Sequence, residues 1–351
     1  MNILNITHEN VDALQGGLGT FTLMFAQAMK QEGHKIVSVL TEHSPSPPSE
    51  FFALKISPDP GFSQLKQLEK IISVNKIDVI LVNDRQNFRP ILKLETDIPI
   101  VFALHLSYPD MIHPYRWDDN MWKEYTMERA ALDIADRIVV FSEFSKNRLT
   151  SGGIYNIKES RIRKVKMGIN PEEWRFVGNR RELKTISYFG RIENLQKNFQ
   201  SFVDGVGLLD LKGIQVNAYG HSFKDSPTIP RRVQYHGMQR GGELAKAYAA
   251  SDIVVMPSLY EPFGLVGLEA MASGSLLVYT PGLGMDEYAD ERNAIPLQGT
   301  TADDIANSLV PVIENWGSNK GYHSHRRNAL ATARSWSWKE VSKDLVEALT
   351  Y

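Results

Sequence analysis

Cysteine is absent from all 351 residues, which removes disulfides, thiolate metal sites and a cysteine nucleophile together. An excess of either charge is also missing: the formal net charge is -2, which argues against a generally polyanion-binding surface. No apolar run approaches the roughly 20 residues that a membrane-crossing helix needs. The opening MNILNITHEN has neither the basic segment nor the apolar stretch of a secretory signal. A cytoplasmic protein is the expectation, and peripheral membrane contact through an amphipathic surface helix stays open.

What is present is a long chain with 42% hydrophobic and 23% charged residues, enough for two domains that each enclose a core. Asn2 to Ile6 reads as a short apolar strand. GGLG (Gly16 to Gly19) follows, then a helix from about Thr20, in which Phe21, Met24, Phe25, Ala28 and Met29 share one face, and a second strand, Lys35 to Leu40. This order is one βαβ unit of a parallel sheet. The alternation continues with helices at Ser63 to Val74 and Met121 to Ile134, and strands at Asp78 to Val82, Ile100 to Leu104 and Arg137 to Phe141. Ser44 to Pro60, rich in proline and serine, reads as a surface loop.

A second alternation supplies strands at Lys184 to Phe189, Gly213 to Tyr219, Val233 to His236, Ile253 to Met256 and Leu276 to Tyr279, with helices at Gly241 to Ala250 and Leu265 to Ser273. Between the two sets, GINPEEWRFVGNRR (Gly168 to Arg181) has the composition of a linker. The expected architecture is α/β: two Rossmann-like domains, 1–168 and 169–337, facing each other across a cleft, with ligand at the carboxyl ends of the strands.

The chemistry concentrates in SLYEPFGLVGLEAMASG, Ser258 to Gly274. With Leu265 to Ser273 helical, Phe263, Gly264 and Leu265 lie at its amino end, where unbonded N–H groups and the helix dipole favour an anion such as a diphosphate. Glu269 sits one turn into the helix and can accept from two vicinal hydroxyls; Glu261 stays on the loop before it. Alone, the pair is equally compatible with an ordinary helix-start loop carrying two solvated glutamates. YFGRIENLQKN, Tyr188 to Asn198, adds Gly190, Arg191 and Lys197 at another strand end, where both cations can reach a diphosphate. GGLG is not Gly-x-Gly-x-x-Gly, but Gly16 and Gly17 permit close backbone approach before a helix. His105, at the end of the Ile100 strand, can hydrogen-bond a sugar hydroxyl or offset developing charge.

Together these segments, with FSEFSK (Phe141 to Lys146), VKMGINPEEW (Val165 to Trp174) and SWSWKEV (Ser335 to Val341), resemble the retaining GT-B glycosyltransferases of family 4 over nearly the whole chain. The resemblance implies that Arg191 and Lys197 bind the donor's diphosphate and that Glu269 holds the ribose hydroxyls. Glu261 with the backbone of Gly190 and Phe263 to Leu265 would meet sugar and phosphate, His105 the sugar hydroxyls, and Gly16 and Gly17 the phosphate. It also implies a last helix, about 338–351, that crosses back onto the first domain. The co-substrate would be a UDP-, GDP- or ADP-sugar and the partner a hydroxyl acceptor. The family reaction uses no protein nucleophile. No cofactor and no metal are expected, in keeping with the lack of any Asp-x-Asp pair; Asp118 and Asp119 are adjacent.

The chain departs from the family pattern at SLLVY (Ser275 to Tyr279), and in TPGLGMDEYADERNA, where Gly284 and Met285 are carried as donor contacts despite unusual spacing. The acceptor surface reads as YPDMIHPYRWDDNMW, Tyr108 to Trp122, whose rings and acids suit a sugar, a polyol or a nucleic acid. The charged runs Arg161 to Lys166 and His323 to Arg327 read as solvated surface. Two other functions fit the same residues: a sugar-nucleotide-binding protein without activity, and a sugar-nucleotide epimerase.

Overall fold

The computed structural model describes residues 1–11, 17–115, 118–178, 180–318, 320 and 322–350. These divide into two compact units, Met1–Met167 with Trp338–Tyr351, and Gly168–Ser337.

The first unit holds seven strands: β1 (Asn2–Thr7), β2 (Lys35–Thr41), β3 (Phe52–Ile56), β4 (Val79–Asn83), β5 (Ile100–Ala103), β6 (Arg137–Val140) and β7 (Ile162–Lys164). They pair in parallel in the order β3-β2-β1-β4-β5-β6-β7. Central strands of a parallel sheet are covered on both faces, so they are apolar throughout: Ile80, Leu81 and Val82 have no exposed surface. Between them run α1 (Gly17–Gln31), α2 (Phe62–Asn75), α3 (Arg89–Leu92), α4 (Tyr108–Ile112), α5 (Asp119–Ile134) and α6 (Glu143–Asn147). Side chains set their starts: the oxygens of Ser107, Asp118 and Ser142 accept from Asp110 N, Met121 N and Ser145 N.

Strand β3 lies inside the segment read as a surface loop. Its residues alternate buried and exposed, the pattern of an edge strand with one covered face, and the flanking prolines and serines mask that short period. The run Arg161 to Lys166 is also more than solvated charge: the Arg161 guanidinium donates to Leu132 O and Ala135 O, each at 2.6 Å, closing the carboxyl end of α5.

The second unit orders its strands β10-β9-β8-β11-β12-β13, again all parallel: β8 (Thr185–Phe189), β9 (Gln215–Tyr219), β10 (Val233–Tyr235), β11 (Ile253–Met256), β12 (Leu276–Tyr279) and β13 (Ile295–Pro296). Its helices are α7 (Phe199–Gly207), α8 (Gly241–Ala250), α9 (Leu265–Ser273), α10 (Ala302–Glu314) and α11 (His323–Ser335). Helix α10 begins in a reciprocal Thr301–Asp304 capping box. Here too a charged run proves structural. Arg326 on α11 is 1% exposed and donates to Val177 O and Gly274 O, so His323 to Arg327 is not simply solvated. The chain leaves this unit beside the point where it came in: Ile169 N donates to Trp336 O at 3.0 Å. A last helix, α12 (Trp338–Leu349), packs on α1 in the first unit, Trp338 against Phe21 with ring centres 5.7 Å apart.

Each sheet reverses its direction of growth once, between β1 and β4 in the first unit and between β8 and β11 in the second. At such a point two neighbouring loops diverge and leave a crevice at the carboxyl edge. No helix among the described residues is long and apolar enough to cross a membrane.

Candidate active site

In the second unit the reversal lies between the loop after β8, which carries Gly190, Arg191 and Lys197, and the loop after β11, which carries Glu261 to Gly264. The two loops are tied together by Leu259 N donating to Gln196 O at 2.8 Å. The Lys197 ammonium forms an ion pair with Glu261 Oε2, with side chains only 17% and 7% exposed. Glu261 Oε2 also accepts from the Ser258 hydroxyl at 3.3 Å. Lys197 itself is placed by Glu193, whose carboxylate accepts from Lys197 N at 2.9 Å and Gln196 N at 3.0 Å. The Arg191 guanidinium donates to Gln196 Oε1, and its carbonyl accepts from the Tyr188 hydroxyl at 2.7 Å. Both cations are therefore preset in direction, which is what stabilises a charge that grows during a reaction.

Gly264 caps α9 in the left-handed region at φ +86°, and a Cβ there would meet Met285 Cγ at 2.8 Å. Only glycine takes that conformation freely, and it turns the loop so that the unbonded N–H groups of α9 open the helix beside Glu261. Gly190, at φ +154°, lies under Gly220, whose added Cβ would come within 1.8 Å of Gly190 O.

Packing decides how three of the predicted contacts are placed. The Phe263 ring is 3% exposed, packed against Tyr288 and Trp336, so only its backbone is available to a ligand. Met285 has no exposed surface and supports Gly264 from beneath. Gly284 donates from N to Glu261 O at 2.8 Å and presses on the Pro262 peptide. Both residues hold the acidic loop in position. Leu265 begins α9 and is half-buried.

Glu269 is half-buried on the second turn of α9 and accepts from the Tyr248 hydroxyl at 2.7 Å. Burial pushes its carboxyl up to about 7, a rise the Tyr248 bond opposes and the nearby Glu173 charge assists. The Tyr248 ring stacks on Phe189, with centres 3.9 Å apart at 12°, and Phe189 is the last residue of β8. Tyr219 stacks on Phe189 at 4.6 Å, and His236 on Tyr219 at 4.5 Å. This column of rings along the carboxyl edge of β8, β9 and β10 escapes sequence reading, because its members come from four separate segments.

His105 belongs to the first unit, after β5 and next to that unit's own reversal. Its Nε2 lies 3.0 Å from Asn83 Oδ1, while Asn83 Nδ2 donates to Asn5 Oδ1 and Ile6 O. Nε2 is thus the protonated nitrogen, and Nδ1 is left as an acceptor. Burial, with the His8 charge second, drives the imidazole down to about 3. A neutral ring can bind a hydroxyl but cannot offset negative charge, which narrows the role expected of it. Beside it Asp84, at φ +59°, accepts from His105 N at 2.8 Å and Leu106 N at 3.3 Å. Burial raises its carboxyl to about 7. A strained non-glycine residue at a sheet reversal is a mark of a working site, and composition carries no signal for it.

Gly16 lies outside the described residues. Gly17 begins α1 and is exposed, but the helix already has an anion at its amino end: Gly19 N donates to the Glu9 carboxylate at 2.6 Å. Within YPDMIHPYRWDDNMW, Tyr115 and Trp122 are 58% and 52% exposed, while Asp110 is buried under a two-pronged bond from Arg148.

Comparison with known proteins bears on family and fold. Residues 15–173 match Glycosyltransferase Family 4, and residues 183–315 match Glycosyl transferases group 1. An uncharacterized glycosyltransferase of Methanocaldococcus jannaschii is 25% identical, covering 99% of this chain and 97% of its own. A D-inositol 3-phosphate glycosyltransferase of Mycobacteroides abscessus is 26% identical over 63% of this chain and 53% of its own length. Among solved structures, a sucrose-phosphate synthase from Thermosynechococcus elongatus superposes with a TM-score of 0.81 at 16% identity, covering 99% and 97% of the two chains. Anabaena HepE in complex with UDP and glucose gives 0.74 at 15%, covering 99% of each. These last two likenesses are of fold.

Proposed function

From a chain that belongs to the family 4-like glycosyltransferases of GT-B fold, we propose a retaining, metal-independent transfer of a hexose-type sugar from a nucleotide sugar to an acceptor hydroxyl. The observation that carries the proposal is the Lys197–Glu261 pair and the Gln196-held Arg191, set at a sheet reversal beside the amino end of α9. An ammonium has three donors. With one on Glu261, Lys197 keeps others for a diphosphate, and Arg191 and the N–H groups of α9 add to them. The acceptor oxygen bonds to the anomeric carbon as the carbon–phosphate oxygen bond breaks, on the same face, and the departing diphosphate takes the acceptor's proton. Charge on that diphosphate peaks in the transition state, so preset cations lower the barrier more than they tighten substrate binding.

Glu269 accepts from the two ribose hydroxyls, Glu261 binds a hydroxyl of the transferred sugar, and neutral His105 is a hydroxyl-binding group of the first unit. UDP-sugars are the first donors to try, because HepE is described with UDP-glucose; GDP- and ADP-sugars follow. The test is nucleotide release from this panel with mixed sugar, polyol and lipid-linked acceptors. Wild-type protein should turn over one donor, and Lys197→Ala should lose roughly 10²- to 10³-fold in kcat/KM. Release from no donor, or an undiminished Lys197→Ala, would defeat the proposal.

A further inference from the structure

We propose that Tyr248 is a positioning residue for the donor: its hydroxyl holds one carboxylate oxygen of Glu269, so that the other is aimed at the ribose diol. The inference rests on the reading of Glu269 given above and names the group on which that reading depends.

Four observations carry it. The hydroxyl lies 2.7 Å from Glu269 Oε2. The ring has almost no freedom, being 1% exposed, stacked on Phe189 at 3.9 Å and met edge-on by Trp174 at 5.3 Å. Its backbone is tied as well, Tyr248 O accepting from Ser251 N at 3.0 Å and from Ser275 Oγ at 3.1 Å. Phe189 ends β8 and is followed directly by Gly190 and Arg191, so one rigid stack sets Glu269 relative to the strand that carries the diphosphate cation. Glu269 alone has several rotamers on its half-buried helix turn; a phenol donating from a locked ring leaves it one.

The same bond decides in which protonation state the acid meets its ligand. A carboxylate accepts from two hydroxyls, whereas a carboxylic acid offers one fewer acceptor site. Tyr248 donates to the ionised form and so favours it against burial, while Glu173 on the segment before Trp174 opposes it. The other groups around α9 leave this balance to Tyr248. The Tyr288 hydroxyl is spent on Gly264 O, and Arg326 of α11 reaches the far end of the helix at Gly274 O.

Tyr248→Phe keeps the ring and its stacking and removes only the donor. Titration with UDP-, GDP- or ADP-glucose without acceptor, using whichever binds, from about pH 5.5 to about pH 9 gives the readout, because an esterified diphosphate, unlike the terminal phosphate of a free nucleoside diphosphate with its pKa of about 6, takes up no proton there. Wild-type affinity should fall with acid below about 7, where Glu269 takes up its proton. In Tyr248→Phe that acid limb should move up by about one pH unit, giving up to about tenfold weaker binding below it. Affinity at the alkaline end should weaken too, by a smaller factor, because Glu269 is ionised there but no longer held in one rotamer. Glu269→Gln should weaken binding and abolish the limb. If Glu269→Gln abolishes the limb but Tyr248→Phe leaves it in place, Tyr248 is only packing and the inference is overturned. If Glu269→Gln keeps both affinity and limb, the reading of Glu269 as the diol acceptor fails, and the inference with it.

Discussion

Substituting Gly284 by alanine tests how the acidic loop is held. A Cβ on Gly284 would stand 2.0 Å from Pro262 O, 2.2 Å from Pro262 C and 2.6 Å from Phe263 N. All three are backbone atoms, so no side chain can swing aside, and the peptide must retreat by roughly 1 Å or more to reach ordinary contact. Overpacking of this kind costs about 1 to 3 kcal/mol. For a unit spanning Gly168–Ser337, that cost corresponds to a fall in Tm of about 2 to 12 °C. The residue displaced is the neighbour of Glu261, whose carbonyl Gly284 N also holds at 2.8 Å. A shift near 1 Å at a reacting group can cost about 10²-fold in kcat/KM. Differential scanning fluorimetry measures the first quantity and nucleotide release the second. Gly242→Ala is the matched control, because a Cβ on that helical residue meets nothing within 4 Å. Should Gly284→Ala melt and turn over like wild type, the close backbone approach described for this loop is wrong.

Glu128 offers a pH test in the first unit. It has no exposed surface, bonds the Ser107 and Tyr155 hydroxyls, and burial raises its carboxyl from 4.5 to about 7. A carboxyl raised in the folded state contributes stability that is full below its unfolded value and is lost as pH rises through the folded one. Unfolding free energy should therefore fall between about pH 4.5 and 7 by a part worth roughly 3 kcal/mol that Glu128→Gln lacks; parallel denaturation curves for the two proteins across this range would refute the assignment. Arg326→Ala should lower Tm by about 5 °C or more, because Val177 O and Gly274 O lose a buried donor. A change under about 1 °C would return that run to the class of solvated charge.

The fold class was legible because each element announces itself locally. IVVM, Ile253 to Met256, is apolar throughout, as a strand covered on both faces must be, and the glycine before Leu265 marks where α9 begins. Helix α9 occupies the predicted range, and strands β8 to β12 lie within a residue or two of theirs. What resisted reading is set by tertiary placement. Nothing near Glu269 in sequence points to Tyr248, 21 positions away, nor does anything near Arg191 announce the column from Tyr248 to His236. Arg326 looks solvated because four of the five residues His323 to Arg327 are basic or histidine, yet burial is decided by the carbonyls at Val177 and Gly274. Edge strand β3 was hidden by its proline-rich surroundings. The first-unit site shows the same limit: Asp84 is notable for its backbone angle, which no local pattern encodes.

The return of α12 to the first unit has a consequence for how the protein is made. Trp338, Val341, Leu345 and Leu349 are buried in a unit whose other residues end at Met167. A ribosome emits Gly168–Ser337 in full before it supplies those four, so the segment translated in the middle can finish folding while the segment translated first still waits with part of α1 uncovered. Nascent chains that have emerged only as far as Ser337 should carry a completed second unit and an unfinished first one, and loss of α12 should injure the first unit.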